Sequence, residues 1–162
     1  MLKEDLLHFL NENLAALPFN GDLTLDWDKK RHAFVLEITF YIENETGQEL
    51  TDLDGVLSAE KVISFNDYIL LYDQTKGLAG YQPDDFLICL PFDGKKGWTR
   101  RHGKAFFNYL KEFLTQGQMQ LAAFLADDSK ETFELEWSAE VYAAKVAQTD
   151  NTEQGNLPYP KF

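Results

Sequence analysis

The chain has 162 residues, of which 44% are hydrophobic and 14% aromatic, and its formal net charge is −12. This length and composition suffice for the core of one domain and exclude a globally disordered chain. Its apolar runs are all far shorter than the ~20 residues of a membrane-spanning helix. Its negative charge disfavours nucleic acids and anionic membranes as partners.

The N-terminus and the cysteine content bear on the compartment. Met1–Asp5 lacks the basic segment and the apolar stretch that begin a secretory signal. Cys89 is the single cysteine and lies in an apolar run, so it provides neither a disulfide framework nor a thiolate zinc site. We therefore expect a cytoplasmic protein.

A helix and a hairpin are predicted first along the chain. Leu2–Ala16 carries apolar residues at three- and four-residue steps, which predicts an amphipathic helix. Leu23–Trp27 and Ala33–Glu43 alternate apolar and polar residues, which predicts an antiparallel hairpin.

A second hairpin and an interior strand are predicted next. Lys61–Phe65 and Tyr68–Asp73 flank Asn66-Asp67, a pair that tolerates the positive φ of a tight turn. Phe86–Leu90 is apolar at every position, as in a strand that is covered on both faces. We expect this strand in the interior of the sheet.

The central helix is predicted from Thr99 as the N-cap to about Gln116, with Gly117 as the residue that ends it. Residues 118–126 are ambiguous, because alternation favours a strand whereas the alanines would tolerate a helix. We favour the strand, followed by a further strand at 132–137.

The C-terminal part is predicted as a short helix and a tail. Ser138 is a suitable N-cap for a helix over Ala139–Gln148. Residues 149–162, which contain Pro158 and Pro160, are expected to form a flexible or loosely docked tail.

Together these elements predict a single α+β domain over residues 1–148. Its twisted, mainly antiparallel sheet would have five to seven strands. The N-terminal helix and the central helix (about 99–116) would pack against it.

Residues 93–111, here called the basic stretch, hold six of the fifteen Lys and Arg residues of the chain. Several of these cations fall in the first turns of the predicted helix, where the helix dipole disfavours positive charge. The pattern therefore indicates a site for an anion or an acidic partner. The candidate binding residues are Lys95, Lys96, Trp98, Arg100, Arg101, His102 and Lys104.

Two alternatives to this site stay open. The cations of the basic stretch would instead pair with carboxylates of the protein itself. A small enzyme would use Arg100 and Arg101 to bind an anionic substrate, and His102 or Asp93 as the acid or base.

The sequence lacks the known catalytic motifs. It has no G-x-S-x-G, H-E-x-x-H or G-x-G-x-x-G sequence, and its three histidines fall on different predicted elements. We therefore assign no catalytic residue, metal or cofactor.

The tryptophans differ in their expected exposure. Trp27 and Trp137 end alternating strands and are expected in the core, whereas Trp98 lies in a polar loop. An exposed Trp98 would favour a contact surface.

Two segments resemble a known family. These are DGVLSAEKVISFNDYILLYD (54–73) and PFDGKKGWTRRHGKAFFNYL (91–110). They are similar to a small uncharacterised family of cytoplasmic proteins from low-GC Gram-positive bacteria. The resemblance implies a bacterial protein of unknown function and assigns no residue a role.

The function that we infer from the sequence is that of a non-enzymatic interaction or adaptor protein. Its loop at 95–104 would contact an acidic or phosphorylated partner, either a protein or an anionic small molecule. Nucleic acid and membrane are not expected as partners, and the chain would be a monomer or a homodimer.

Overall fold

Apolar and polar residues alternate along much of Ala33–Glu43, and this strand lies in the centre of the main sheet. The structure is a computed structural model, and it describes residues 4–43, 50–51, 57–58, 62–126, 135–149 and 155–160. The helices are α1 (Leu6–Ala16), α2 (Arg100–Ala126) and α3 (Ala139–Gln148), with a 3-10 turn at Pro83–Asp85. The strands are β1 (Asp22–Asp28), β2 (Ala33–Glu43), β3 (Leu50–Thr51), β4 (Leu57–Ser58), β5 (Val62–Asp73), β6 (Ile88–Phe92), β7 (Trp98–Thr99) and β8 (Asn156–Leu157).

The main sheet has four strands in the order β1-β2-β5-β6. β2 is antiparallel to both of its neighbours, β1 and β5, whereas β6 runs parallel to β5. Two small antiparallel pairs, β3 with β4 and β7 with β8, complete the described strands. The predicted α+β class is confirmed, and the main sheet is mixed, with four described strands where five to seven were predicted.

The hydrophobic core lies between one face of the main sheet and the helices α1 and α2. On β2, Phe34, Ile38 and Phe40 are buried on this face. α2 supplies Phe106 and Leu110 to the same core. The alternation in β2 and the three- and four-residue steps in α2 therefore meet face to face, as both patterns predicted.

α2 is longer than predicted, and the predicted strand at 118–126 is wrong. Gly117 lies within the helix, where a Cβ would come within 3.0 Å of the Phe40 ring. Leu121, one turn later, is buried, whereas Met119 is 67% exposed. The buried stripe thus continues at helical spacing past Gly117, and the glycine permits close packing instead of ending the helix. No described helix combines the length and hydropathy needed to cross a bilayer.

The predicted second hairpin is also wrong, because Asn66 and Asp67 lie in the middle of one continuous strand. β2 pairs with β5 along its whole length, from Ala33 opposite Tyr72 to Glu43 opposite Val62. A long neighbouring strand offers a backbone partner to every residue, and this outweighs the local turn preference of Asn-Asp.

Two further strand predictions differ from the structure. β6 is an edge strand with half-buried residues from Ile88 to Leu90, so its apolar run does not mark an interior strand. Residues 135–137 are not a strand and lead directly into α3, while 132–134 lie outside the described residues. The predicted α3 and its Ser138 N-cap are confirmed, since the Ser138 side chain accepts a hydrogen bond from the Val141 N–H.

The prediction of a flexible C-terminal tail is wrong for residues 155–160. Leu157 is fully buried, and its strand β8 pairs with β7. The Pro158 carbonyl accepts a 2.8 Å hydrogen bond from the Leu6 N–H at the start of α1. Burial of Leu157 and these backbone bonds outweigh the local effect of the two prolines. Residues 150–154, 161 and 162 lie outside the described part.

We expect Leu157→Ala to lower the free energy of unfolding by about 2–5 kcal/mol, because it removes a fully buried side chain from the core. The exposed neighbour Asn156 provides the control, and Asn156→Ala should change stability by less than about 0.5 kcal/mol. Urea unfolding of both variants measures the difference. Equal stability of the two would contradict the docking of this segment.

We expect Asp67→Asn to stabilise the protein at pH 7. Asp67 lies opposite Ile38 on the core face, and burial raises its pKa although the Tyr68 N–H donates to its carboxylate. A folded-state pKa above the unfolded value makes ionisation favour unfolding, so the cost is absent below the unfolded pKa and grows as the pH rises. Thermal unfolding at pH 7 and at about pH 3 should show a gain that disappears in acid. Asp26→Asn, on the exposed side of β1, is the control.

Candidate binding surface

The turn at 93–97 is held by one carboxylate. An Asp93 side-chain oxygen accepts hydrogen bonds from the N–H groups of Lys95 and Lys96, at 2.9 and 2.8 Å. The backbone N–H groups of Lys96 and Lys95 lower the pKa of Asp93, so this group stays ionised at neutral pH. The Lys95 and Lys96 side chains are consequently left exposed at the tip of the turn.

Gly97 closes this turn against the C-terminal segment. Its φ is +68°, in the region that favours glycine, and a Cβ there would lie 1.8 Å from the Leu157 carbonyl oxygen. The turn carrying the lysines is thus fixed to β8 by a backbone contact that only glycine permits.

Trp98 is 5% exposed, so its predicted exposure is wrong. Its ring packs against Phe106, and its Nε1 donates a 3.0 Å hydrogen bond to the Pro91 carbonyl. A polar sequence neighbourhood did not reveal this burial, because the partners of Trp98 come from β6 and α2. The Trp98 ring therefore packs inside the protein and offers little exposed surface to a partner.

The two arginines bind within the protein. Arg100 forms an ion pair with Glu4 at 2.8 Å, so internal pairing, one of the two alternatives, is correct for this residue. Arg101 donates from Nε to the Val146 carbonyl at 3.0 Å and from a terminal nitrogen to the Ala147 carbonyl. The dipole of α2 disfavours a cation at the position of Arg101. Its guanidinium instead lies at the C-terminal end of α3, where the dipole of α3 favours positive charge.

His102 and Lys104 lie on the exposed side of α2. The Thr99 hydroxyl accepts a hydrogen bond from the His102 N–H, which confirms Thr99 as the N-cap, and lies 3.0 Å from His102 Nδ1. Partial desolvation and the neighbouring Arg101 lower the pKa of His102. The imidazole is therefore largely neutral at pH 7.

The start of α2 offers few unbonded N–H groups to a small anion. Two of its first three N–H groups are already bonded, that of Arg100 to the Gly155 carbonyl and that of His102 to the Thr99 hydroxyl. An anion seat at a helix start depends on such groups being free. The arrangement thus favours long-range attraction by exposed lysines over coordination of one phosphate.

Asp93 and His102, the candidate acid and base, are each hydrogen-bonded within their own turn. A cavity of about 560 Å³ lies farther along α2, between α2 and α3. It is polar, and Lys111, Glu112 and Lys145 are among its lining residues, whereas residues 93–104 are not. This cavity therefore does not include the proposed acid–base residues.

One cluster was missed by the sequence analysis. Glu4, just before α1, and His8 and Glu12 within it place one potential metal ligand each within 4.8 Å of one another. Their four-residue spacing could have been noticed in the sequence. His8 pairs with Glu12 and Glu4 with Arg100, so a guanidinium already neutralises one of the carboxylates. We assign no metal to this exposed cluster.

We expect Arg101→Ala to lower the free energy of unfolding by about 1–2 kcal/mol, because the last carbonyls of α3 lose a charged donor. Lys95→Ala, in the same stretch but exposed, should change stability by less than about 0.5 kcal/mol. Thermal unfolding of the two variants tests this. A smaller loss for Arg101→Ala than for Lys95→Ala would refute the structural role of Arg101.

A protein family and a solved structure match this chain. Residues 1–161 match the family described as "Protein of unknown function (DUF3013)". A crystal structure of a conserved protein of unknown function from Enterococcus faecalis is 30% identical, with a TM-score of 0.86 over 99% of this chain and 98% of that one. No curated protein matches the sequence. The resemblance to an uncharacterised family of low-GC Gram-positive bacteria is confirmed, and the chain belongs to the DUF3013 family of proteins of unknown function.

Proposed function

We propose that this chain is a cytoplasmic, non-enzymatic interaction protein whose loop at 95–104 contacts an acidic or phosphorylated partner. The observation that carries the proposal is the exposure of Lys95 and Lys96 at the tip of their turn, in a chain of net charge −12. The nearby carboxylates are used internally, Asp93 within its own turn and Glu4 with Arg100.

The burial of Trp98 and the internal bonds of the arginines change how such a contact would work. Exposed lysines attract a partner over several ångströms and raise the association rate, whereas a buried aromatic anchor is not available to strengthen it. The proposed contact is therefore electrostatic and sensitive to salt.

The alternative function, a small enzyme acting on an anionic substrate, has less support. It requires His102 and Asp93 to face a common substrate, and each is hydrogen-bonded within its own turn. Arg100 and Arg101, the proposed substrate ligands, are occupied by Glu4 and by the end of α3.

We expect an acidic peptide to raise the melting temperature of the wild-type protein at low salt, because a ligand of the native state stabilises it. A panel of an oligo-glutamate peptide, a phosphoserine peptide, nucleotides and small carboxylates would be compared by thermal unfolding. Lys95→Glu/Lys96→Glu should abolish the shift, since both exposed lysines then repel the ligand.

The control is Lys111→Glu/Lys145→Glu, which changes the net charge equally but lies at the α2–α3 cavity, outside residues 95–104. It also removes the ion pair of Lys145 with Glu112, so its shift is taken relative to its own melting temperature without ligand. This variant should retain the shift. If no anion stabilises the wild type, or if the two double variants lose the shift equally, the proposed contact of residues 95–104 is incorrect.

A further inference from the structure

The topology of the main sheet collects three basic turns at one edge. β1 and β5 both run antiparallel to β2, and β6 runs parallel to β5, so β1, β5 and β6 all end at the same edge. A turn follows each of these strands. These three turns are here called the basic edge. They carry six exposed cations: Lys29, Lys30, Arg31, Lys76, Lys95 and Lys96.

Backbone and side-chain contacts join these turns directly. The Asp73 N–H donates to the His32 carbonyl at 3.2 Å, and the Gln74 N–H donates to the Phe92 carbonyl at 2.9 Å. Asp73 is 2% exposed, and its carboxylate lies 3.6 Å from His32 Nδ1. Segments that are far apart in sequence thus form one continuous surface.

The carboxylates of the basic edge point into the turns. Asp28 accepts hydrogen bonds from the Arg31 N–H and from the Tyr81 hydroxyl. Asp73 accepts from the N–H and the hydroxyl of Thr75. Asp93 holds the third turn in the same way. In each turn the acidic residue therefore accepts hydrogen bonds from groups of the protein, whereas the lysines are exposed.

We propose that the basic edge binds an extended acidic segment of a partner protein, rich in Asp and Glu. This inference rests on the function proposed above and names its surface and its partner. Neighbouring strands are about 4.8 Å apart, so an edge of four strands is roughly 15 Å long, the span of about five extended residues. The cations are distributed along that length.

The residue types favour distributed carboxylates over a single phosphate. Five of the six cations are lysines, which act as point charges without the paired donors that clamp a phosphate. Arg31 has those donors, but its guanidinium lies over the Tyr81 ring at 4.7 Å and 3.8 Å from an Asp28 carboxylate oxygen.

The surroundings of the basic edge disfavour nucleic acid. A long polyanion would extend beyond the edge onto the exposed side of the sheet, where Asp22, Asp26 and Glu37 lie. Single strands also need exposed aromatic rings for base stacking, and Phe92 and Trp98 next to the edge are buried. The half-buried rings of Trp27 and Tyr81 already contact Lys29 and Arg31. A short acidic protein segment fits a surface of this size.

The test measures binding of a fluorescein-labelled oligo-glutamate peptide to the full chain by anisotropy, at about 0.1 M salt, where the Debye length of about 10 Å screens distant charges. Lys29→Glu/Lys30→Glu should weaken binding about tenfold or more, and Lys95→Glu/Lys96→Glu should do the same. Lys111→Glu/Lys145→Glu should bind as the wild type does. Circular dichroism confirms that each variant is folded.

The outcomes separate the two proposals. Loss of binding in Lys95→Glu/Lys96→Glu with full binding in Lys29→Glu/Lys30→Glu would overturn the basic edge and leave the proposed function standing. Full binding in both, or no binding by the wild type, would overturn both proposals. Tighter binding of a phosphoserine peptide or a DNA oligonucleotide of equal charge would overturn the choice of an Asp- and Glu-rich partner.

Discussion

The C-terminal segment accepts hydrogen bonds from the first N–H group of each of two helices. The Pro158 carbonyl accepts from Leu6 at the start of α1, and the Gly155 carbonyl accepts from Arg100 at the start of α2. Between them Leu157 is buried in the core. Helix starts that face the protein interior need partners for their N–H groups, and here a segment distant in sequence supplies them. The mutual position of α1, α2 and the turn at 93–97 depends on this contact.

A second constraint is the full-length pairing of β2 with β5. It makes β5 a continuous strand that ends at Asp73, from which the chain returns to form β6 parallel to β5. The side of the sheet that faces α1 and α2 is mostly apolar, with Asp67 as an exception, and the other side carries Asp22, Asp26 and Glu37. Because strand direction fixes which ends meet, this pairing also decides which turns share an edge.

The distribution of surface charge depends on which carboxylates accept hydrogen bonds within the protein. In the three turns of the basic edge, Asp28, Asp73 and Asp93 accept hydrogen bonds from groups of their own or of neighbouring turns. Such bonds stabilise the turns and hold the acidic groups close to the backbone, while lysine side chains extend into solvent. A strongly acidic chain can thereby present a local positive surface. Arg100 and Arg101, in contrast, serve the packing of α1 and α3.

The sequence by itself determined the α+β class, the hairpin of β1 and β2, the N-cap of α2 and the helix α3, because local periodicity and capping govern these features. Tertiary structure decided the rest. Asn66-Asp67 became strand because β2 offered pairing partners, Gly117 stayed helical because Phe40 packs against it, and Trp98 was buried by β6 and α2. The basic edge was equally beyond local patterns, since the placement of Lys29 and Lys95 along the same edge of the sheet requires the order and direction of all four strands.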